Sequence, residues 1–212
     1  MIVNEPAVRA ILEEVRPARL VAATKYVDAD QLPLLEACGV TVFGENRVQA
    51  FLDKYEAYHG NAEWHFIGTL QTNKVKYIID KVSLIHSVNS YALVDEIEKR
   101  AAAHGLVMDI LLEVNIAHEA SKQGFDDAQI EEMMAYLADK PHVHVRGLMM
   151  MAPLGEEARP WFHKTRELLD RLQKEWPQYD LTELSMGMSE DYPDALAEGS
   201  TMVRIGRALF QD

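Results

Sequence analysis

The residue best placed to do chemistry is a lysine at the end of a short apolar run. Lys25 follows Leu20-Val21-Ala22-Ala23-Thr24. Apolar surroundings disfavour an ammonium ion and lower its proton affinity. An amine activated in this way is the usual attacking group on a carbonyl carbon. The same position equally suits a lysine that lays its stem on apolar surface and keeps its head in water. A second group of residues suits an anion. Ser185-Met186-Gly187-Met188-Ser189 comes just before Glu190 and Asp191, and residues 199–206 include Gly199, Ser200, Thr201, Arg204 and Gly206. Small hydroxyls, glycine amides and a helix N-terminus together bind phosphate. Ordinary turn chemistry in tight loops uses the same residue types. Arg204 lies between Val203 and Ile205, and an arginine among apolar neighbours needs a partner. Two partners fit, a strand carboxylate such as Glu113 or the ring nitrogen of a ligand.

Other candidates carry less. His65 and His86 have no compact set of metal-ligating neighbours, and the chain has neither an HExxH motif nor a cysteine pair. They therefore read as core or hydrogen-bonding histidines, and no metal is expected. His142 and His144 alternate with Val143 and Val145 at the start of a strand, the wrong end for chemistry. Ser185 and Ser189 lack the G-x-S-x-G elbow of a hydrolase. Met149-Met150-Met151 reads as core.

These residues must be positioned by a regular scaffold. Eight short apolar runs, at 20–24, 40–43, 64–67, 84–88, 110–114, 143–148, 183–186 and 202–205, have the length and β-branched content of buried parallel strands. Amphipathic stretches lie between them. Ile130, Met133, Met134 and Leu137 form one helical stripe, Leu93, Ile97 and Ala101 another, and Trp161 to Trp176 a third. Ser90 and Asp127 suit helix N-caps, and Gly39, Gly105 and Gly199 suit left-handed helix ends. Eight such units predict a single α/β domain over residues 1–212, a closed (β/α)8 TIM barrel. The alternative is an open doubly wound sheet. Its dinucleotide-binding form needs a glycine fingerprint after the first strand, where Thr24-Lys25-Tyr26 stands instead, and no Walker A motif occurs. In a barrel, chemistry gathers at the C-terminal strand ends. Those ends fall at Lys25, Asn46, His65 with Gly68, His86, Asn115, Met149, Ser185 to Ser189, and Arg204 with Gly206. Barrels often bind phosphate after strands seven and eight, which favours the phosphate reading of both loops.

Composition narrows the partners. With 21 Lys plus Arg against 34 Asp plus Glu, the net charge is −13. Such an anion is repelled by nucleic-acid backbones and anionic lipid heads, so neither is expected as a partner. No apolar run approaches the roughly 18–20 residues of a membrane span. A single cysteine, Cys38, and no signal peptide point to a reducing, cytoplasmic location.

Six motifs in order carry a resemblance. They are Ala23-Thr24-Lys25, Phe43-Gly44-Glu45-Asn46, Trp64-His65-Phe66-Ile67-Gly68 with Leu70-Gln71-Thr72-Asn73-Lys74, Arg146-Gly147-Leu148-Met149, Ser185-Met186-Gly187-Met188-Ser189, and residues 199–206. Together they resemble the YggS/PROSC family of pyridoxal 5′-phosphate (PLP) homeostasis proteins over nearly the whole chain. The resemblance implies PLP fold type III, a barrel like the N-terminal domain of alanine racemase. It implies PLP as cofactor, held as an internal aldimine on Lys25. It further implies a phosphate cradle of Ser185, Ser189 and Gly206 with Thr201 nearby, Arg204 at the pyridine nitrogen, and Asn46, His65 and Met149 lining the pocket. Asn115 and residues 119–124, with Lys122, match a family loop. Arg47 and Arg207 stand where other residues are common in the family. An arginine beside the phosphate cradle would tighten binding.

The resemblance implies a cofactor buffer and delivery protein, with PLP-dependent apo-enzymes as possible partners. Two features lean away from catalysis. The sequence ends just past the barrel, with no racemase-type second domain, which also suits a monomer. An arginine at the ring nitrogen leaves the ring a weaker electron sink. Two enzyme readings stay open, a weak amino-acid racemase using Lys25 as base and a barrel enzyme acting on a phosphorylated metabolite.

Overall fold

A computed structural model describes residues 1–117 and 123–212. The eight expected strands are present, preceded by a short N-terminal strand β1 (Ile2–Val3). They are β2 (Arg19–Ala23), β3 (Val42–Glu45), β4 (Glu63–Phe66), β5 (Leu84–Val88), β6 (Met108–Val114), β7 (Val143–Met150), β8 (Glu183–Ser185) and β9 (Met202–Ile205). Each pairs in parallel with the next, and β9 closes on β2 in the register Arg19↔Met202 to Ala22↔Ile205. The result is a closed (β/α)8 barrel, and the doubly wound alternative is excluded.

The helices are α1 (Glu5–Glu14), α2 (Leu32–Ala37), α3 (Val48–Ala57), α4 (Val75–Ile78), α5 (Tyr91–Ala103), α6 (Asp127–Tyr136), α7 (Arg159–Glu175) and α8 (Tyr192–Ala197). Strand β9 is followed only by a 3-10 turn, Arg207–Leu209. Helix α1 packs there, anchored by the Asn4 amide on the Leu209 carbonyl at 2.9 Å. A last strand, β10 (Phe210–Gln211), pairs antiparallel with β1. This two-stranded clasp is too short to show a period in the sequence. No described helix is long and apolar enough to cross a membrane.

Local signals mostly hold. Ser90 caps α5 by accepting from the Leu93 amide at 3.2 Å. The cap of α6 is Asp126, one residue before the expected Asp127, because it forms a reciprocal capping box with Gln129. Gly39, Gly105 and Gly199 end their helices with positive φ.

The outer faces of the strands pack against the helices. Phe43, Phe51, Phe66, Phe162 and the helix stripes form a continuous apolar layer. The barrel axis is different. Val21, Val42, Leu84, Leu111, Met149 and Met202 make a small apolar plug. Buried polar side chains also occur on the barrel strands: His65, His86, Glu113, Ser185 and Arg204. Burying unpartnered polar groups costs a few kcal/mol each, so their hydrogen bonds decide what the axis can do.

Candidate functional site

The Lys25 turn is built from below by a buried ion pair. Strand β2 ends at Ala23, and Thr24–Tyr26 form a 3-10 turn. Lys54 on α3 donates to the Thr24 carbonyl at 2.7 Å and pairs with Glu45. The Thr24 hydroxyl donates to Glu45 Oε1 at 2.8 Å, and the Asn46 amide donates to Oε2 at 3.1 Å. Glu45 is fully buried, yet an ammonium, a hydroxyl and an amide all point at it. Thr24 is thereby clamped on both its carbonyl and its hydroxyl. Lys25 rides on this turn with its side chain exposed, its Nζ 5.1 Å from the Tyr26 ring centroid. The expected apolar surroundings are absent, because the turn lifts Lys25 out of the strand and into the open mouth.

Strand β9 ends beside the same turn. A Cβ on Gly206 would lie 2.5 Å from Tyr26 Cε2, so glycine leaves the Tyr26 ring its place against the end of β9. The β8 loop is equally tight at Gly187. Its φ is +96° and an added Cβ would lie 2.6 Å from the Ala195 side chain. Asp191 holds this loop by accepting from the Met188 amide at 2.6 Å. Ser189 is half-buried on the loop, and no described residue engages its hydroxyl. Arg207 is exposed just past Gly206.

Four of the expected residues, Thr201, Ser185, Met149 and His65, are not open at the mouth. Thr201 precedes β9, so it sits at the opposite, N-terminal end of the barrel. There its hydroxyl donates to Glu183 at 2.8 Å and accepts from the Leu184 amide at 2.8 Å. The motif at residues 199–206 runs through a whole strand, which separates its first hydroxyls from its last glycine. Ser185, the last residue of β8, is fully buried and bonded to His86 and Arg204. Met149 is 1% exposed and belongs to the apolar plug, so it fills the axis instead of lining an open mouth.

The axis holds a continuous line of polar contacts. Arg204 Nη1 donates to Ser185 Oγ at 2.6 Å, and Nη2 donates to the Met150 carbonyl at 3.0 Å. It makes no ion pair with Glu113. Burial pulls the guanidinium down to about 10, against the opposing fields of Asp191 and Glu113. It therefore stays a cation at neutral pH. Ser185 Oγ lies 2.9 Å from His86 Nδ1, and His86 Nε2 lies 2.9 Å from His65 Nδ1. His65 Nε2 lies 3.6 Å from Glu63. Both imidazoles are held below their ordinary range by burial. His65 thus sits inside the barrel and not at its mouth. Glu113 is 6% exposed and pushed up by burial, with Asn89 donating to it at 3.4 Å.

Asn46 does follow β3 at the mouth. Its Oδ1 is buried with no partner among the described residues. Asn115 follows β6 and bonds through its amide to Phe125 at 2.9 Å. Of the loop at 119–124, residues 119–122, Lys122 among them, lie outside the described residues. Sequence reasoning missed Tyr26, Glu45 and Lys54. Only Glu45 left a signal, a carboxylate in an otherwise apolar strand. His142 and His144 lie at the start of β7, bonded to Glu98 and Asp109, as expected. No described group of three acidic, histidine or cysteine side chains could hold a metal ion.

The profile of the alanine racemase N-terminal domain matches residues 7–212. The pyridoxal phosphate homeostasis protein of Aquifex aeolicus is 48% identical over 197 residues, covering 91% of this chain and 86% of that protein. The chain belongs to the alanine racemase N-terminal domain family, among the pyridoxal phosphate homeostasis proteins. The homeostasis protein of Escherichia coli K12 is 34% identical over 199 residues, covering 90% of this chain and 84% of that one. Within the same family, the structure of PipY from Synechococcus elongatus with PLP bound superposes with a TM-score of 0.92 at 34% identity. The match covers 98% of this chain and 99% of PipY. Alanine racemase from Corynebacterium glutamicum shares the fold, with a TM-score of 0.80 at 18% identity. It covers 97% of this chain and 59% of the racemase.

Proposed function

We propose that this chain binds PLP at the C-terminal mouth of the barrel and serves to hold and deliver it, without turnover. The residues at that mouth fit the group. The C-terminal strand ends offer an exposed primary amine, a buried guanidinium, and a serine hydroxyl and a buried Asn46 Oδ1 that have no partner among the described residues. When bound, PLP supplies an aldehyde that condenses with a primary amine and a ring that can draw electrons from an attached carbon.

Lys25 offers the amine. Ser189 and the backbone at Gly206 take the phosphate, with the Arg207 charge beside them. Arg204 donates toward the ring nitrogen. A guanidinium that stays charged does not hand over its proton, so the ring nitrogen remains unprotonated and the ring is a weak electron sink. The exposed mouth suits loading and release. One observation carries this reading: the end of β9 at Gly206 lies against the ring of Tyr26, the neighbour of Lys25, which supports an amine and a phosphate loop sharing one edge of the mouth. The PLP bound in PipY supports it. The same reading takes residues 1–212 as one domain working in the cytoplasm as a monomer, passing cofactor to PLP-dependent apo-enzymes.

Glu113 favours a second reading. It is a buried carboxyl, held toward its protonated form, in the field of Arg204. It could serve as an acid opposite Lys25 in a weak racemase. Two assays decide. Adding PLP to the protein should raise a visible absorption band that Lys25→Ala lacks. With an amino-acid panel, racemisation should not exceed that of free PLP. No band in the parent sinks the binding proposal. Turnover lost in Glu113→Gln would replace the carrier by an enzyme.

A further inference from the structure

The line Glu63, His65, His86, Ser185 and Arg204 crosses the barrel from its N-terminal mouth to the candidate site, and one direction alone leaves no buried proton without an acceptor. A guanidinium only donates, so Ser185 Oγ accepts from Arg204 at 2.6 Å. The hydroxyl then has one proton to give, and its remaining partner is His86 Nδ1 at 2.9 Å. His86 must therefore carry its proton on Nε2, which faces His65 Nδ1 at 2.9 Å. His65 in turn carries its proton on Nε2, toward the Glu63 carboxylate at 3.6 Å. Each of the three inner links, from Arg204 to His65, has one donor and one acceptor. His65 and His86 are 1% and 0% exposed, so no solvent can replace a broken link between them or to Ser185.

We propose that His65 and His86 are positioning residues, which fix Arg204 through the Ser185 hydroxyl in the orientation the cofactor ring requires. Neither histidine touches the mouth. A proton added to His65 at Nδ1 forces the His86 proton across to Nδ1. Ser185 Oγ then meets two donors, its own proton loses its acceptor, and the grip on Arg204 loosens. The charged groups around the line favour the neutral state. Arg19 faces both imidazoles, and Arg204 faces His86. Glu63 and Glu183 oppose them at His65, but Glu183 is engaged by Arg19 at 3.3 Å and Glu63 accepts from Ser83 at 3.1 Å. At the far end Asp191 and Glu113 face Arg204. The bearing on cofactor binding rests on the function proposed above; the hydrogen-bond direction does not.

The two are separated by working first without PLP. Imidazole nitrogen NMR of the uniformly labelled protein should show both histidines neutral at pH 7, with the proton on Nε2. The Arg204 Nη signals should be resolved, as slow rotation requires. Ser185→Ala should mix the tautomers of both histidines and collapse the Arg204 signals, and Ser185→Thr should restore both. With PLP added, His86→Gln should keep attachment at Lys25 while the dissociation constant rises roughly tenfold, the lower end of what losing an outer hydrogen-bond partner costs a binding group. A cationic or Nδ1-protonated His86 in the parent overturns the proposal. So do Arg204 signals unmoved by Ser185→Ala, or an unchanged dissociation constant in a folded His86→Gln. If PLP fails to bind the parent while the tautomers are as stated, the proposed function falls, and the cofactor role of the relay with it.

Discussion

Replacing Lys54 by methionine tests whether the buried pair beneath Lys25 holds the turn. The substitution keeps the side-chain length and removes the charge. Glu45, 0% exposed, then keeps only the Thr24 hydroxyl at 2.8 Å and the Asn46 amide at 3.1 Å, and the Thr24 carbonyl loses its donor. Stripping one partner from a buried pair costs about 3–5 kcal/mol. The two remaining donors to Glu45 place the loss at the lower end, about 3 kcal/mol. For a chain of this size each kcal/mol moves the melting temperature by roughly 2–4 °C, so the expected fall is roughly 6–12 °C. Urea unfolding should show a lower midpoint at an unchanged slope. Lys54→Met with Glu45→Leu should recover most of the loss, because removing both charges leaves none buried alone. A single variant within about 1 kcal/mol of the parent would refute the clamp, since that is all an exposed pair is worth. So would a double variant as unstable as the sum of the two singles.

The two serines of the β8 loop should separate cleanly. Ser185→Ala leaves His86 and Arg204 each short of a partner and should cost about 1–3 kcal/mol in urea unfolding without PLP; Ser189→Ala should leave that stability unchanged and weaken PLP binding in equilibrium titration. Arg207→Ala should raise the PLP dissociation constant at low salt, an effect that fades as salt is added; unchanged affinity would sink its role. Stability should depend on pH through the two buried histidines. Their folded pKa values lie below the unfolded one, so the unfolded chain binds more protons, and their contribution is present above about pH 6.5 and lost as pH falls below it. His163, held up by Glu198, works in the opposite sense and loses its small contribution as pH rises. Glu113 and Asp191, pushed up by burial, lose theirs as pH rises through the acid range. Thermal melts between pH 5 and 7.5 should therefore rise with pH, and His86→Gln should flatten the slope.

The barrel was legible because its strands announce themselves. Runs such as 84–88 and 202–205 coincide with β5 and β9, and the stripe Leu93, Ile97, Ala101 lies on α5. The β1–β10 clasp was not legible, since two residues carry no period. Within the site, Lys25, Asn46, Ser189, Arg204 and Gly206 lie at the C-terminal end, where strand order puts them. Thr201 misled because a motif contiguous in sequence spans both ends of one strand. Ser185, His65 and Met149 are fully buried, which their positions in apolar runs do not reveal, since sequence does not say whether an inward-facing side chain is open to the mouth or covered. The relay is invisible in sequence for a related reason. Its members come from β4, β5, β8 and β9, and only barrel closure brings them into line. Lys54 reads as an ordinary helix-surface lysine until β3 is packed beneath α3.

The central claim is that Lys25 is the attachment point for PLP. Borohydride reduction of the protein with one equivalent of PLP, followed by peptide mass mapping, tests it directly. One pyridoxyl mass is expected, on the peptide carrying Lys25, and none on that peptide in Lys25→Ala. Label spread over exposed lysines such as Lys74 and Lys76, or absent from Lys25, would contradict it.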